Sequence, residues 1–327
     1  MINFVSIFTK QLKEALQIGA KSNLKLSNKI FKNVVISGLG GSGIGGKIVS
    51  QLVDNKMSIP VIVNNSYFLP NFVDENSLVI ISSYSGNTEE TLFAMKEAIK
   101  KGAEIGCVTS GGEVFELAKK HNLNHIIVPK GNPPRAMLTY SLVQLFFILE
   151  NYGLISNTFK NEIETSIELL NKDIENIKGD AKNAASKIKN TIPIIYTDSN
   201  YEGVGTRFKQ QLNENAKILS FNHVIPEMNH NELVGWAGGS EKYSVLFLRN
   251  ESDFERNQVR IESSKKIISK YTSNISEIYS KGNSEIEKTL YLILITDWIS
   301  VYLADIYKVD SIEVDVIIGL KEELSKH

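Results

Sequence analysis

The segment Val34 to Gly46, which reads VVISGLGGSGIGG, limits the possible folds of this chain more than any other feature. A short β-branched run leads into a turn of glycine and serine, and a helical pattern follows from Lys47 to Val53. Glycine lets the backbone approach a ligand closely, and the free N–H groups at a helix N-terminus carry partial positive charge. The segment therefore predicts a strand, turn and helix that bind an anion. A glycine turn that only packs a helix on a sheet is the alternative.

Two common kinds of nucleotide site do not fit this turn. Gly38, Gly40 and Gly43 match the G-x-G-x-x-G spacing, but that motif needs an acidic residue at the end of the next strand to hold a ribose. The next predicted strand ends in Asn64 and Asn65. A triphosphate loop would end in Gly-Lys-Ser/Thr, which is missing here. A nicotinamide cofactor and a nucleoside triphosphate are both disfavoured.

A second strand, at the start of the segment Leu78 to Thr91 (LVIISSYSGNTEET), leads into a loop rich in hydroxyl groups. One serine or threonine before a helix is explained by N-capping. This loop has several polar side chains: Ser82, Ser83, Ser85, Asn87, Thr88 and Thr91. Next to a glycine turn at the carboxyl edge of a parallel sheet, they can donate several hydrogen bonds to one phosphate monoester.

Apolar strands alternate with helical patterns along the chain, which predicts an α/β fold with mainly parallel, doubly wound, flavodoxin-like sheets flanked by helices. Strands are expected near residues 34–37, 59–63, 78–82, 104–109 and 125–128, and again near 192–196, 216–220, 243–248 and 275–279. The stretch between them is polar and favours a helix. We therefore expect an N-terminal domain over 1–150, a helical connector over 151–190 and a C-terminal domain over 191–327.

Composition excludes several classes of partner. The chain has 36 basic and 37 acidic residues and a net charge of −1, so neither nucleic acid nor a membrane surface is expected to bind. The single cysteine, Cys107, excludes an internal disulfide and agrees with a cytoplasmic location. The N-terminus is amphipathic and lacks a continuous apolar core, so it predicts a packing helix. Ala136 to Leu149 and Leu290 to Ile306 are expected to be buried core helices.

No metal site is predicted. His121 and His125 are four residues apart, but His125 opens a strand, so the two side chains would not share one helical face.

The chain resembles the bifunctional phosphoglucose/phosphomannose isomerase family, which is built from two sugar isomerase (SIS) domains. The resemblance runs from Val34 to Lys321. It rests on four separated motifs: GLGGSGIGG, SSYSGNTEET, GNPPRAML and NENAKILSFNHVIPEMNHNELVGW.

The resemblance implies a cofactor-independent aldose–ketose isomerase acting on 6-phosphosugars through a cis-enediolate. Glucose 6-phosphate and fructose 6-phosphate are the expected substrates, together with mannose 6-phosphate. The residues that resemble the family's phosphate anchor are Gly41, Ser42, Ser83, Ser85 and Thr88.

The resemblance also implies four catalytic side chains: Glu214 as the base, Arg135 beside the enediolate oxygens, and His230 and Lys321 in ring opening. His230 resembles a residue supplied by the neighbouring subunit, which implies a homodimer. His223 competes for the same role on spacing and ranks second. Taken alone, Glu214 would be read as a solvated partner of Lys217.

Arg135 precedes an apolar helix and is expected in its first turn, where a cation opposes the helix dipole. An arginine that reaches a surface carboxylate is the alternative. The chain departs from the family pattern before Lys321, where Asp310-Ser311 replaces Asp-Pro and no threonine or glutamine lies one or two turns ahead. The family associates a hydroxyl there with both epimers, so the resemblance supports the mannose 6-phosphate activity less directly than the glucose 6-phosphate activity.

Two other functions share the phosphate loops. A sugar-phosphate sensor would keep the anchor without the chemistry, but the residues before Val34 are too few and insufficiently basic for a helix-turn-helix segment. Another SIS enzyme, such as an amino-sugar isomerase or a lyase, is disfavoured by the NENAK and PEMNHNE blocks.

Overall fold

The first half of the chain forms a five-stranded parallel sheet with the strand order β2-β1-β3-β4-β5 in a computed structural model that describes residues 1–326. The strands are β1 (Asn33–Ser37), β2 (Val61–Asn64), β3 (Ser77–Ser83), β4 (Glu104–Thr109) and β5 (Asn124–Ile127). The helices of this half are α1 (Ile2–Ser6), α2 (Phe8–Ala20), α3 (Gly40–Val53), α4 (Glu89–Lys100), α5 (Gly112–Lys120) and α6 (Leu138–Asn151). This is the predicted flavodoxin-like order, which reverses between β1 and β3.

The second half forms a four-stranded parallel sheet with the order β7-β6-β8-β9. Its strands are β6 (Ile192–Asp198), β7 (Phe221–Ile225), β8 (Tyr243–Arg249) and β9 (Ile275–Tyr279). The remaining helices are α7 (Thr158–Ile188), α8 (Glu202–Ala216), α9 (Glu232–Gly235), α10 (Glu255–Ile268), α11 (Glu285–Tyr307) and α12 (Asp315–Leu324). The prediction of two parallel α/β sheets flanked by helices is confirmed.

Two predicted boundaries are wrong. The strand expected near 216–220 lies at 221–225, because α8 continues to Ala216 and Lys217 then turns the chain with a left-handed φ of 58°. The helix expected from Lys47 begins at Gly40, because the glycines after Leu39 belong to the helix rather than to the turn.

Two helices form the centre of the core. α11 is the one helix in residues 1–326 that is long and apolar enough to cross a membrane, and 83% of its most apolar window is buried. α7 packs along it with an apolar stripe that includes Phe159, Ile163, Leu170 and Ile177. α11 is therefore a core helix, as predicted, and so is α6, whose residues from Leu138 to Leu149 are buried. The boundaries of the two domains stay a prediction.

Candidate active site

Two helix N-termini meet where the order of the first sheet reverses. The loop after β1 starts α3, and the loop after β3 starts α4; in neither helix does the N-cap side chain bond to the first turn. Ligands of doubly wound sheets bind at this reversal, outside the carboxyl ends of the strands. Unpaired N–H groups and the dipoles of both helices therefore face one place that suits an anion.

The glycine-rich segment from Gly38 to Gly43, here called the glycine turn, includes the first turn of α3 and is closely packed. A Cβ atom on Gly43 would lie 2.4 Å from the carbonyl oxygen of Gly38, which also accepts a hydrogen bond from Asn65 Nδ2 at 2.6 Å. Gly40 has a φ of +53°, with open space around its Cα. Only glycine fits position 43 without a backbone shift, and Gly40 leaves room for a ligand to approach the main chain.

Hydrogen bonds join the two loops and order the hydroxyl groups. The main-chain N–H of Tyr84 donates to Ser42 Oγ at 3.0 Å, which links the glycine turn to the loop after β3. Ser83 is buried, and its Oγ donates to Thr88 Oγ1 at 3.2 Å. Ser85 is exposed, and its Oγ accepts from the main-chain N–H of Asn87 at 3.2 Å. The predicted anchor residues therefore lie on two connected loops, whereas Ser82 and Thr91 of the same motif are fully buried.

Gly41 lies against the segment that carries Arg135. A Cβ on Gly41 would lie 3.2 Å from the carbonyl oxygen of Pro134 and 3.5 Å from Arg135 Cα. Arg135 lies in a 3₁₀ turn, Pro134–Ala136, and α6 begins only at Leu138. The prediction that Arg135 sits in the first turn of α6 is therefore wrong. The consecutive prolines favour a separate turn before the helix, because the residue before a proline is restricted to extended conformations.

Arg135 and Glu214 form an ion pair beside the glycine turn. The Nη1 atom of Arg135 lies 3.3 Å from Glu214 Oε2; the arginine side chain is 5% exposed and that of the glutamate is 30% exposed. Arg135 Nε donates to Asn215 Oδ1 at 2.8 Å, and Nη2 donates to the carbonyl oxygens of Ser311 at 2.7 Å and Ile312 at 3.0 Å. Nη1 is thus the guanidinium nitrogen that faces the accessible carboxylate.

The charge of Arg135 is retained despite its burial. Burial lowers the pKa of Arg135, and the carboxylates of Glu214, Asp310 and Glu313 oppose this shift. Arginine starts from a pKa so high that it remains protonated in proteins. The site therefore combines a permanent, desolvated cation with a carboxylate that solvent can reach.

Within residues 1–326, the carboxylate of Glu214 forms its ion pair with Arg135 and not with Lys217, the alternative partner. Lys217 Nζ donates to the main-chain carbonyl of Glu214 at 2.7 Å and also to that of Glu313, whose carboxylate lies 3.5 Å away. The lysine therefore closes the end of α8 and leaves the Glu214 carboxylate directed at Arg135.

His230 and Lys321 are both exposed and lie on other elements than this pair. His230 is exposed at the end of a 3₁₀ turn, Glu227–His230, and Lys321 is exposed on α12. Within residues 1–326, neither side chain forms a hydrogen bond or ion pair with Arg135 or Glu214. The contacts of the single chain therefore join Arg135 to Glu214 beside the predicted anchor, and they do not link either residue expected to open the ring directly to this pair.

His223 has a defined partner. Its Nδ1 lies 2.7 Å from Glu232 Oε2, and the other oxygen of Glu232 accepts from the Tyr196 hydroxyl at 2.5 Å. Glu232 was not predicted from the sequence, although it follows His230 by two residues in the same motif. The pairing fixes the orientation of His223 in the second sheet.

A buried ion pair next to Arg135 was also not predicted from the sequence. Arg207 and Asp297 form an ion pair of 2.7 Å with both side chains at most 5% exposed. In the sequence, Asp297 only argues against a membrane-spanning helix, since nothing local links it to Arg207 ninety residues earlier. The only available signal was a carboxylate in the middle of a strongly apolar helical segment.

Comparisons with known proteins give a consistent result. The family model of the bacterial phospho-glucose isomerase C-terminal SIS domain matches residues 177–324. A bifunctional phosphoglucose/phosphomannose isomerase of Caldicellulosiruptor bescii is 38% identical over 99% of both chains, and one of Aquifex aeolicus is 36% identical over 91% of this chain and 92% of the relative. Among solved structures, the C-terminal domain of glucosamine-fructose-6-phosphate aminotransferase from Francisella tularensis has a TM-score of 0.77 at 12% identity, covering 96% of this chain and 98% of that one.

Proposed function

This chain belongs to the family of bifunctional phosphoglucose/phosphomannose isomerases, and from that membership we propose that it interconverts glucose 6-phosphate and fructose 6-phosphate, and mannose 6-phosphate and fructose 6-phosphate. The observation that carries the proposal is the Arg135–Glu214 pair, 3.3 Å apart and next to the glycine turn. A base, a cation and an anion site are the parts that enolisation of a phosphosugar needs. We place this activity in a reducing cytoplasm, in keeping with the single, buried cysteine.

The phosphate group binds where α3 and α4 begin. The main-chain N–H of Gly41 and the hydroxyls of Ser42, Ser83, Ser85 and Thr88 surround this place. Because the helix termini supply partial positive charge, a dianionic phosphate can be held without a buried lysine or arginine. This leaves Arg135 free for the reacting end of the sugar.

Glu214 transfers the proton between C2 and C1. In the open-chain aldose, the carboxylate removes the proton from C2, the C2–C1 double bond forms, and negative charge develops on O1. Arg135 Nη1 stabilises this charge, which is larger in the transition state than in the substrate. A proton then passes from O2 to O1 across the cis-enediolate, Glu214 returns its own proton to C1, and the C2 oxygen becomes the ketone. No cofactor takes part in this sequence.

Ring opening requires residues from a second copy of the chain. We propose that His230 of one subunit reaches the sugar bound by the other, with His223 as the second choice, and that Lys321 assists. The exposure of His230 supports this arrangement. So does the apolar surface of α12, on which several large side chains are at least 41% exposed: Val316, Ile317, Ile318, Leu320 and Leu324. A homodimer would cover such a surface.

The experiment that tests the proposal measures turnover of both aldoses. Purified protein in a metal chelator is given glucose 6-phosphate or mannose 6-phosphate, and fructose 6-phosphate is followed over time. Formation of the ketose from both aldoses is expected. Tight binding of the sugar phosphates without any turnover would contradict the proposal and indicate a sensor.

A further inference from the structure

A face of α8 lies against a face of α11 and is polar although it is buried. Arg207, Gln211 and Asn215 follow one another at intervals of four residues, so their side chains share one side of the helix. Asp297 and Ser300 of α11 lie opposite them. All five residues are at most 4% exposed. A helix interface in the centre of a molecule is normally apolar, so this group needs an explanation.

The polar groups of this interface are joined in one network. Asp297 Oδ2 accepts from Arg207 Nη2 at 2.7 Å, and Oδ1 accepts from Gln211 Nε2 at 2.9 Å. Ser300 Oγ donates to the carbonyl oxygen of Asp297 at 2.7 Å and accepts from Asn215 Nδ2 at 3.0 Å. The carboxylate and the serine therefore fix the side chains of α8 at three successive turns.

The network ends on Arg135 at two different points. Arg207 Nη2 donates to the main-chain carbonyl of Arg135 at 3.1 Å, and Asn215 Oδ1 accepts from Arg135 Nε at 2.8 Å. One contact holds the backbone and the other holds the guanidinium group. Since Glu214 precedes Asn215 on α8, the same helix positions both members of the ion pair.

Stability alone does not account for this arrangement. Burial raises the pKa of Asp297, while Arg207 and Gln211 act against that shift. A buried ion pair offsets its desolvation cost only in part, and apolar side chains of similar volume often stabilise a core at least as well. A role in fixing geometry explains why charged groups occupy this interface.

We propose that Asp297 is a positioning residue of the isomerase site, which acts through Arg207 on the backbone of Arg135 and, with Ser300 and Asn215, on its guanidinium. This inference rests on the proposed function. It predicts that the network affects the chemical step more than it affects sugar-phosphate binding, because the phosphate loops lie on α3 and α4 and not on α8.

Three variants separate positioning from simple stability. Asp297→Asn removes the charge, and Ser300→Ala removes the partner of Asn215 at smaller risk to folding. Thr296→Val is the matched control, because Thr296 is equally buried on α11 but bonds only to main-chain carbonyls of its own helix. We expect kcat to fall about 100-fold in Asp297→Asn and about 10-fold in Ser300→Ala with KM nearly unchanged, since small displacements in a catalytic site cost up to about 100-fold. Thr296→Val should match the wild type.

A double-mutant cycle tests whether Asp297 acts through Arg135. In the background of Arg135→Lys, which keeps a cation and the main-chain carbonyl but lacks the Nε contact, Ser300→Ala should lower kcat little further, and Asp297→Asn should lose the part of its effect that passes through the guanidinium. The proposal would be overturned if the loss of kcat in Ser300→Ala multiplied in full with the loss in Arg135→Lys. A kcat in Ser300→Ala that equals that of Thr296→Val would also overturn it.

A readout that needs no turnover distinguishes this inference from the proposed function. The chain has five arginines, so their Nε–H signals can be resolved after arginine-specific ¹⁵N labelling. The buried Arg135 Nε–H should exchange slowly with solvent in the wild type and in Thr296→Val, and faster in Asp297→Asn and Ser300→Ala. Unchanged exchange in both test variants would disprove positioning, even if the wild type isomerises the sugars. Faster exchange in an enzyme without turnover would refute only the isomerase function.

Discussion

At the scale of single residues, the guanidinium of Arg135 divides its contacts among its three nitrogens. Nε is bound by Asn215, and Nη2 is bound by two main-chain carbonyls of the C-terminal segment. Nη1 faces Glu214. Two of the three nitrogens therefore fix the orientation of the group, and the third points to the place where we expect charge to develop. A lysine could not reproduce this division, because it lacks the planar fork.

Glu214→Gln should abolish exchange of the C2 proton with solvent while ligand affinity stays nearly intact. A positioned base contributes about 10²–10⁴-fold to the rate, so kcat should fall by at least about 10²-fold. Solvent exchange is measured by NMR on glucose 6-phosphate in deuterated buffer, and affinity by calorimetry. Glu202→Gln is the control, since Glu202 lies on the same helix in an exposed ion pair with Lys47. Exchange at the wild-type rate would remove Glu214 from the mechanism.

The roles proposed for these residues could be taken from sequence motifs, but their contacts could not. The resemblance selects Arg135 and Glu214 as candidates. It does not reveal that Arg135 lies in a 3₁₀ turn or that Ser311 supplies an acceptor for it. The hydrogen bonds of the Arg135 guanidinium join positions 80 to 177 residues apart, and no local pattern of hydrophobicity or spacing encodes them. The site residues themselves stay a prediction until the variants are measured.

At the scale of elements, the N-terminus of the core helix α11 is closed by side-chain caps. Ser284 Oγ accepts from the main-chain N–H of Glu287 at 3.2 Å, and Glu287 Oε2 accepts from the N–H groups of Ser284 at 2.7 Å and Asn283 at 2.8 Å. This is a complete capping box. It satisfies donors at the end of the helix that carries Asp297, so the start of that helix is fixed.

The pH dependence of stability should show the contribution of this cap. Burial raises the pKa of Glu287, but the main-chain donors outweigh that effect, and the net pKa in the folded state is lowered. A lowered folded-state pKa stabilises the protein above the unfolded-state pKa, and this contribution is lost as pH falls through the folded-state pKa. Glu287→Gln should thus lower the unfolding free energy by about 1 kcal/mol at pH 7.

The difference between Glu287→Gln and wild type should shrink once the pH drops below about 4. Urea unfolding of both proteins between pH 3 and 7 measures it. Glu255→Gln serves as control, because Glu255 is an exposed glutamate in the first turn of α10. A difference that is independent of pH would contradict the assignment.

Most elements were predictable because their patterns are local. The strands of the first sheet are short apolar runs bounded by turns, and each lies within a few residues of its expected position. β7 was misplaced because the stretch Lys217 to Ser220 is apolar enough to resemble a strand, whereas α8 ends in a left-handed residue directly before it. The 31-residue helix α7 was expected only as helical sequence, since its packing on α11 depends on the far end of the chain.

At the scale of the whole molecule, the two parallel sheets have related strand orders but different polar edges. The first sheet ends in the glycine turn and the hydroxyl loop. The second ends in carboxylates, with Asp198 held by Asn257 Nδ2 at 2.6 Å and Asp253 held by the N–H of Asn250 at 3.0 Å. Burial raises the pKa of Asp253. An edge that carries carboxylates does not suit a phosphate, so each chain is expected to hold one sugar.

Mixing two inactive variants tests whether the site is shared between subunits. If His230 acts on the neighbouring sugar, a 1:1 mixture of His230→Ala and Glu214→Gln forms mixed dimers with one intact site, and about a quarter of wild-type activity returns after subunit exchange. The measurement is a coupled assay before and after exchange.

The control for this experiment mixes Glu214→Gln with Arg135→Lys. Both residues belong to the same ion pair of one chain, so no intact site can form and activity should not rise above that of the two variants measured alone. Recovery in this control, or none in the first mixture, would contradict a site shared through His230.

The carbonyl groups that accept from Arg135 have a consequence for biosynthesis. Ser311 follows Arg135 by 176 residues, and the ribosome therefore makes the partner long after it makes the guanidinium. Until that late segment has been synthesised and has folded back, the nascent chain lacks the two main-chain carbonyls that accept from the Arg135 guanidinium. A prematurely terminated product therefore lacks two acceptors of the Arg135 guanidinium, even when its first sheet has already assembled.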